Sequence, residues 1–186
     1  MRYTEQKDLS FCLTVSTGIE LHDLLNILGR KDVLSEPQTF DDFIERRNRT
    51  RQSSLINVFE EGDFLITVEN SGFMGVSTAV MLRMSVITTE LGHYASVYRN
   101  SLDGGGYRYV EVQDGMILAN FNPLLDEAPP AIDQFFSGPL PGPTGPAEMT
   151  KAMIEALEYR MEIQVQPKWL EQPTDTYIID YKTLRV

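Results

Sequence analysis

One cysteine, two histidines and one tryptophan in 186 residues leave few ingredients for metal or redox chemistry. Cys12, being alone, cannot form an internal disulfide and suits a reducing compartment. His22 and His93 are too few for a histidine-rich metal site, and a single thiol cannot supply the usual cysteine sets for zinc. Long apolar runs are missing too: nothing approaches the roughly 18 consecutive apolar residues of a spanning helix. The opening Met1–Asp8 is polar and charged, without the apolar core of a signal peptide. A cytoplasmic location with no membrane partner is the expectation. Positive charge is scarce as well. With 16 basic against 27 acidic residues the chain carries −11 and a pI near 4.6. That balance argues against direct binding of a nucleic-acid backbone, as does the lack of a basic stripe interleaved with aromatics.

What positive charge there is lies mostly in one place. Arg46, Arg47, Arg49 and Arg51 fall within six residues, leaving 12 of the 16 basic residues to face 27 acidic ones. The cluster reads in two ways. It is either a solvated helix end neutralised by Asp41, Asp42 and Glu45, or a dock for an acidic partner or phosphate through bidentate guanidinium contacts. Asp126, Glu127 and Asp133 form the complementary feature, an acidic stretch with little basic compensation. Both groups are candidates for contact with a partner.

Local patterns give most of the elements. Phe11, Leu13 and Val15 alternate along a first strand, and Thr17-Gly18-Ile19-Glu20 has the form of a capping box. Leu21, Leu24, Leu25 and Leu28 then make one apolar helical stripe, closed by Gly29. A short helix is expected from Thr39, with Asp42 three residues on, running into the arginines. Ser54–Phe59 and Asp63–Glu69 form a hairpin pair, with Leu55, Val58, Phe59, Phe64, Ile66 and Val68 inward. Ser77–Thr89 fits two patterns, since Val80, Leu82, Met84 and Val86 alternate as in a strand while Val80, Met81, Met84 and Ile87 suit a helix, and a helix capped by Ser77 is the favoured reading. Three strands follow, Tyr94–Arg99, Tyr107–Val112 and Met116–Phe121, with turns at Gly104–Gly106 and Asp114-Gly115. Pro146 opens a C-terminal helix whose stripe is Met149, Met153, Leu157 and Met161, and Thr176–Tyr181 adds a last strand.

This order predicts an α+β fold, an antiparallel sheet with helices packed mainly on one face. Three segments are expected: a core domain over 1–136, a Pro/Gly-rich loop over 137–146, and a helix with a short extension over 147–186 packed on the core.

Several stretches together resemble an actinobacterial family of small acidic domains of unknown function. They are Phe11-Cys12-Leu13-Thr14-Val15 leading through Gly18 to Leu28-Gly29, then Val68–Gly75, and Ser96–Asn100. Asp114-Gly115 before Asn120–Leu124, and Pro167-Lys168-Trp169-Leu170, match similarly. The resemblance implies a helix after Gly75 and supplies no reaction. The arginine loop and the tail beyond Thr174 depart from it.

No residue set forms a catalytic constellation, and no cofactor or metal is expected. Cys12 reads as a buried thiol rather than a nucleophile. Gly104–Gly106 reads as a hairpin turn rather than a phosphate cradle, since a strand follows it. The composition therefore points to a non-enzymatic protein-binding module with an acidic surface, of the immunity, antitoxin, defence or phage–host kind. The rival is a small-molecule or nucleotide-binding enzyme whose loop-assembled pocket uses Asn70, Arg99, Asn100 and Asn120. Self-assembly into a homo-oligomer is a third expectation.

Overall fold

A computed structural model describes residues 10–33, 37–39, 42, 53–70, 72–88, 91–100, 106–137 and 145–180. Among these residues eight strands form one sheet: β1 (Phe11–Thr17), β2 (Arg30–Val33), β3 (Ser53–Glu61), β4 (Phe64–Asn70), β5 (His93–Asn100), β6 (Gly106–Gln113), β7 (Met116–Phe121) and β8 (Thr176–Asp180). Their order across the sheet is β2-β8-β3-β4-β1-β5-β6-β7, every pairing antiparallel. The fold is α+β.

β1 runs through the middle, paired with β4 from Phe11↔Asn70 to Thr17↔Phe64 and with β5 from Phe11↔Arg99 to Thr17↔His93. Successive residues of a strand point to opposite faces, so Phe11, Leu13 and Val15 enter one core and Cys12 the other. Helices α1 (Leu21–Ile27) and α2 (Thr78–Ile87) share the Cys12 face. Helix α3 (Pro146–Met161) lies on the opposite face. Its Met149, Met153, Leu157 and Met161 are buried among Phe11, Leu13, Val97 and Tyr109. A one-turn helix, α4 (Lys168–Glu171), buries Trp169 completely in the same core.

Covering both faces explains why the strands carry apolar residues in both parities. In β3, Ile56 and Val58 belong to the α1/α2 core while Leu55 and Phe59 pack against the α3 core. The inward set of the β3–β4 hairpin therefore splits between the faces. Two patterns correspond closely to the observed elements. Ser77 caps α2, its Oγ accepting from Val80 N–H at 3.3 Å. Asp114 and Gly115 both take positive φ (48° and 77°), the geometry a two-residue β6–β7 turn requires.

The capping box before α1 does not form. Gly18 sits at φ +66°, outside the right-handed helical region, so the helix starts only at Leu21 with Glu20 at the cap and no side-chain cap bond. At Thr39 the box geometry is present: Thr39 N–H and Oγ each donate to Asp42 Oδ2 at 2.7 Å, and Asp42 N–H donates back to Thr39 Oγ1 at 3.2 Å. The helix expected beyond it, together with Arg46, Arg47, Arg49 and Arg51, lies outside the described residues, as do Gly104 and Gly105. β2 had no clear sequence signal: only four residues long, it pairs with β8 through a bulge between Arg30 and Asp32.

Candidate functional site

Among the described residues, two buried polar clusters are built around a carboxylate, one in each core. Beneath the 3-10 turn Met74–Val76, Glu69 accepts from Met74 N–H at Oε2 (3.1 Å) and from Gly75 N–H at Oε1 (2.8 Å). Thr14 and Ser96 hydroxyls meet at 2.8 Å, Cys12 Sγ lies 3.3 Å from Ser96 Oγ, and Tyr94 OH donates to the Gly75 carbonyl at 2.6 Å. Burial raises the Glu69 carboxyl to about 7 against the opposing pull of the two N–H bonds. Burial, then the neighbouring Glu69 charge, raises the Cys12 thiol well above its ordinary value. A thiol so placed stays protonated and inert. Burial raises the Tyr94 hydroxyl in the same way.

On the α3 side, Glu111 Oε1 receives Arg160 Nε (2.7 Å) and Nη2 (2.6 Å) as well as His93 Nε2 (3.0 Å). Burial pushes Glu111 upward, but the bonds and charges of His93 and Arg160 outweigh it and hold the carboxyl below its ordinary value. Tyr109 OH lies 3.4 Å from Glu111 Oε2. This network fastens α3 to β6. Both carboxylates are sealed from solvent, Glu69 and Glu111 alike, so neither presents a group to an outside substrate. Among the described residues no group of three or more His, Cys, Asp or Glu is placed to hold a metal ion.

Neither cluster was anticipated from the sequence. Glu69 alternates with Val68 and so reads as outward until the second core is known. Glu111 sits between Val110 and Val112 with the same ambiguity. The one available pointer was the Val68–Gly75 stretch, which contains both Glu69 and the turn it grips.

The rival pocket residues stand on three strands, Asn70 on β4, Arg99 and Asn100 on β5, and Asn120 on β7. Asn70 and Arg99 both pair with Phe11, and Arg99 is buried at the α3-side end of β5. Asn100, one residue on, is directed to the other side, where its Oδ1 accepts from Ser10 Oγ at 3.3 Å. Asn120 Oδ1 takes two donors from Arg108, Nε at 2.9 Å and Nη2 at 2.5 Å. An open groove of about 410 Å³ lies nearby, lined by Phe73, Ser77, Tyr98 and Arg108. A second cleft, about 300 Å³, runs between β3 and α4. Its only lysine, Lys168, is already paired with Glu61 at 3.0 Å, and Trp169 Nε1 donates to the same carboxylate at 3.1 Å.

The outer surface offers a sharper contrast, between the two edges of the sheet. An open edge invites another strand, and proteins blunt it with short length, charge or bulges. β2 is four residues long, bulged, and carries Arg30, Lys31 and Asp32. β7 is six residues long and holds no charge at all: Met-Ile-Leu-Ala-Asn-Phe. Its ladder with β6 also carries a register shift, between Glu111 and Val112, so the two edges differ in charge and length and not in the presence of a bulge. Met116, Ile117 and Leu118 are 61%, 42% and 37% exposed. The neighbouring helix α2 adds exposed Leu82, Val86 and Ile87, and Leu124 and Leu125 follow the strand. Acids stand at both ends. Asp114 is exposed in the turn before β7, and Asp126 and Glu127 are exposed after it. Asp126 Oδ2 accepts from Asn122 N–H at 2.8 Å, fixing that bend. Asp133, the third acidic candidate, is half-buried at the start of a 3-10 turn, where its carboxylate accepts from Ser137 Oγ.

No family model matches the chain, and neither a curated protein nor a solved structure does. No described helix is long and apolar enough to cross a membrane.

Proposed function

We propose that this chain is a non-enzymatic, cytoplasmic protein-binding module that receives an extended, basic segment of another protein along the outer edge of β7. The observation that carries the reading is that, among the described residues, β7 ends the sheet as an uncharged strand with three consecutive exposed apolar side chains. Strand addition uses the free backbone groups of such an edge for affinity and alternate side chains for selectivity. The rim selects the sign of the partner. Asp114 lies at one end, Asp126 and Glu127 at the other, and the chain as a whole carries −11. A cationic segment is drawn to that field, while a nucleic acid or an anionic membrane is repelled. The polar networks beneath add rigidity without chemistry. Neutralisation of a basic toxin or nuclease, an immunity or antitoxin role in defence or phage–host conflict, is the setting that best suits this surface.

The test compares wild type with Ile117→Lys, which places a like charge before the cationic segment, and with Lys151→Gln on α3 as a control. The expected result is a stoichiometric complex with a basic protein, weakened by added salt, lost in Ile117→Lys and kept in the control. A complex that survives Ile117→Lys contradicts the proposal. So does salt-insensitive binding, or sedimentation showing that β7 pairs only with a second copy of this chain.

A further inference from the structure

The groove at the start of α2 combines three things. Its walls are aromatic and apolar, from Phe73, Val76 and Tyr98. Its size, about 410 Å³, falls in the range of small-molecule sites. It also includes a guanidinium, that of Arg108, held by a neutral amide: Asn120 Oδ1 takes Nε and Nη2, fixing the guanidinium plane, and no described carboxylate compensates its charge. Lys168, by contrast, is neutralised by Glu61 in the other cleft. Phe73 is 50% exposed although it stands in a turn otherwise buried, between Gly72 and Met74. That turn is held from below by the bonds of Glu69 to Met74 and Gly75, so the ring is carried on a fixed platform.

We infer that this groove is a binding site for a small aromatic oxyanion, the ring lying against Phe73 and Tyr98 and the anionic oxygens meeting the Arg108 guanidinium. A flat apolar body gains area against the aromatic walls. A planar fork of donors suits a carboxylate or a phosphate, and both present the same pair of oxygens. Asn120 is the positioning residue, orienting the guanidinium without touching the ligand. The site is separate from the strand-docking reading, since it lies over β5 and β6 at the N-terminal end of α2 and not along the outer edge of β7.

The probes are benzoate, phenyl phosphate and the neutral benzamide, titrated into uniformly nitrogen-15-labelled protein and followed by amide chemical shifts. The expected result is saturable shifts confined to residues 72–79, 98–100 and 106–108, with either anion binding at least about fivefold more tightly than benzamide. The order of benzoate and phenyl phosphate distinguishes a carboxylate ligand from a phosphate one. Arg108→Gln should weaken the anions about tenfold and leave benzamide unchanged, whereas Phe73→Ala should weaken all three. Both variants alter partly exposed side chains, and their spectra report whether the fold is kept. Equal binding of benzamide and benzoate overturns the inference, as do shifts centred elsewhere, an Arg108→Gln protein that binds the anions as wild type does, or no saturation by about 10 mM of either anion.

Discussion

Gly75 N–H donates to Glu69 Oε1 at 2.8 Å, and the space above Gly75 Cα is already filled by the side chains of β1 and β5. A Cβ at residue 75 would stand 2.3 Å from Thr14 Oγ1, 2.6 Å from Ser96 Oγ and 2.9 Å from Cys12 Sγ. The turn therefore rests directly on the sheet, and it sets where α2 begins.

The first prediction follows from that contact. Gly75→Ala must push the turn off the sheet or displace a buried hydroxyl pair, at a cost of about 1–3 kcal/mol or more. Denaturant unfolding measures it. An unchanged midpoint would show that the turn is not seated as described.

The second concerns pH. Glu69 is raised to about 7 in the folded protein from an ordinary 4.5. The folded state thus holds a proton that the unfolded state has released, throughout the interval between those values. The stability contributed by this proton is complete below 4.5 and is lost as pH rises toward and through about 7. Unfolding free energy should fall across that window, and the fall should be reduced in Glu69→Gln. The amide keeps one acceptor oxygen but turns an N–H toward the other turn donor, so the variant should also be weaker at pH 5. Thermal melts at pH 5, 6, 7 and 8 read both effects, and a slope unaltered by Glu69→Gln would assign the titration elsewhere.

The third concerns the other core. Removing Arg160 leaves the Glu111 carboxylate buried with the His93 ring as its remaining side-chain partner at Oε1. Arg160→Ala should destabilise by about 3 kcal/mol or more, and much of that loss should disappear when Glu111→Ala is combined with it. A double-mutant cycle gives the coupling. Additive single losses would mean that the ion pair does not fasten α3 to the sheet.

The fourth separates stability from docking. Met116, Ile117 and Leu118 are exposed, so Ile117→Lys should change stability by less than about 1 kcal/mol while abolishing partner binding. A large stability loss would place Ile117 in the core instead.

The architecture was more legible in the sequence than the site. Alternation announced β1, the Asp114-Gly115 pair announced the β6–β7 turn, and the Met149–Met161 stripe announced α3, because each is a local pattern. The covering of both sheet faces was not local. With Phe64, Ile66 and Val68 taken as the inward set, Glu69 and Thr67 read as solvent-facing, and only the placement of α1 and α2 reverses that reading. β2 escaped because four residues with three charges carry no alternation. The acids of the candidate surface, Asp126 and Glu127, were visible as composition. The apolar edge between them and Asp114 was visible only as a strand, since nothing in Met116–Phe121 says that it ends the sheet. Gly18 misled for a related reason: the spacing of a capping box is sequence-readable, but a left-handed backbone within it is not.

Hydrogen–deuterium exchange of the Met116–Phe121 amides, measured free and in complex with the captured basic protein, tests the account most directly. Marked slowing of the outward-facing β7 amides, reversed by salt and missing in Ile117→Lys, is the predicted result. Protection confined to other strands or to the helices, with β7 exchanging as it does in the free protein, would contradict it.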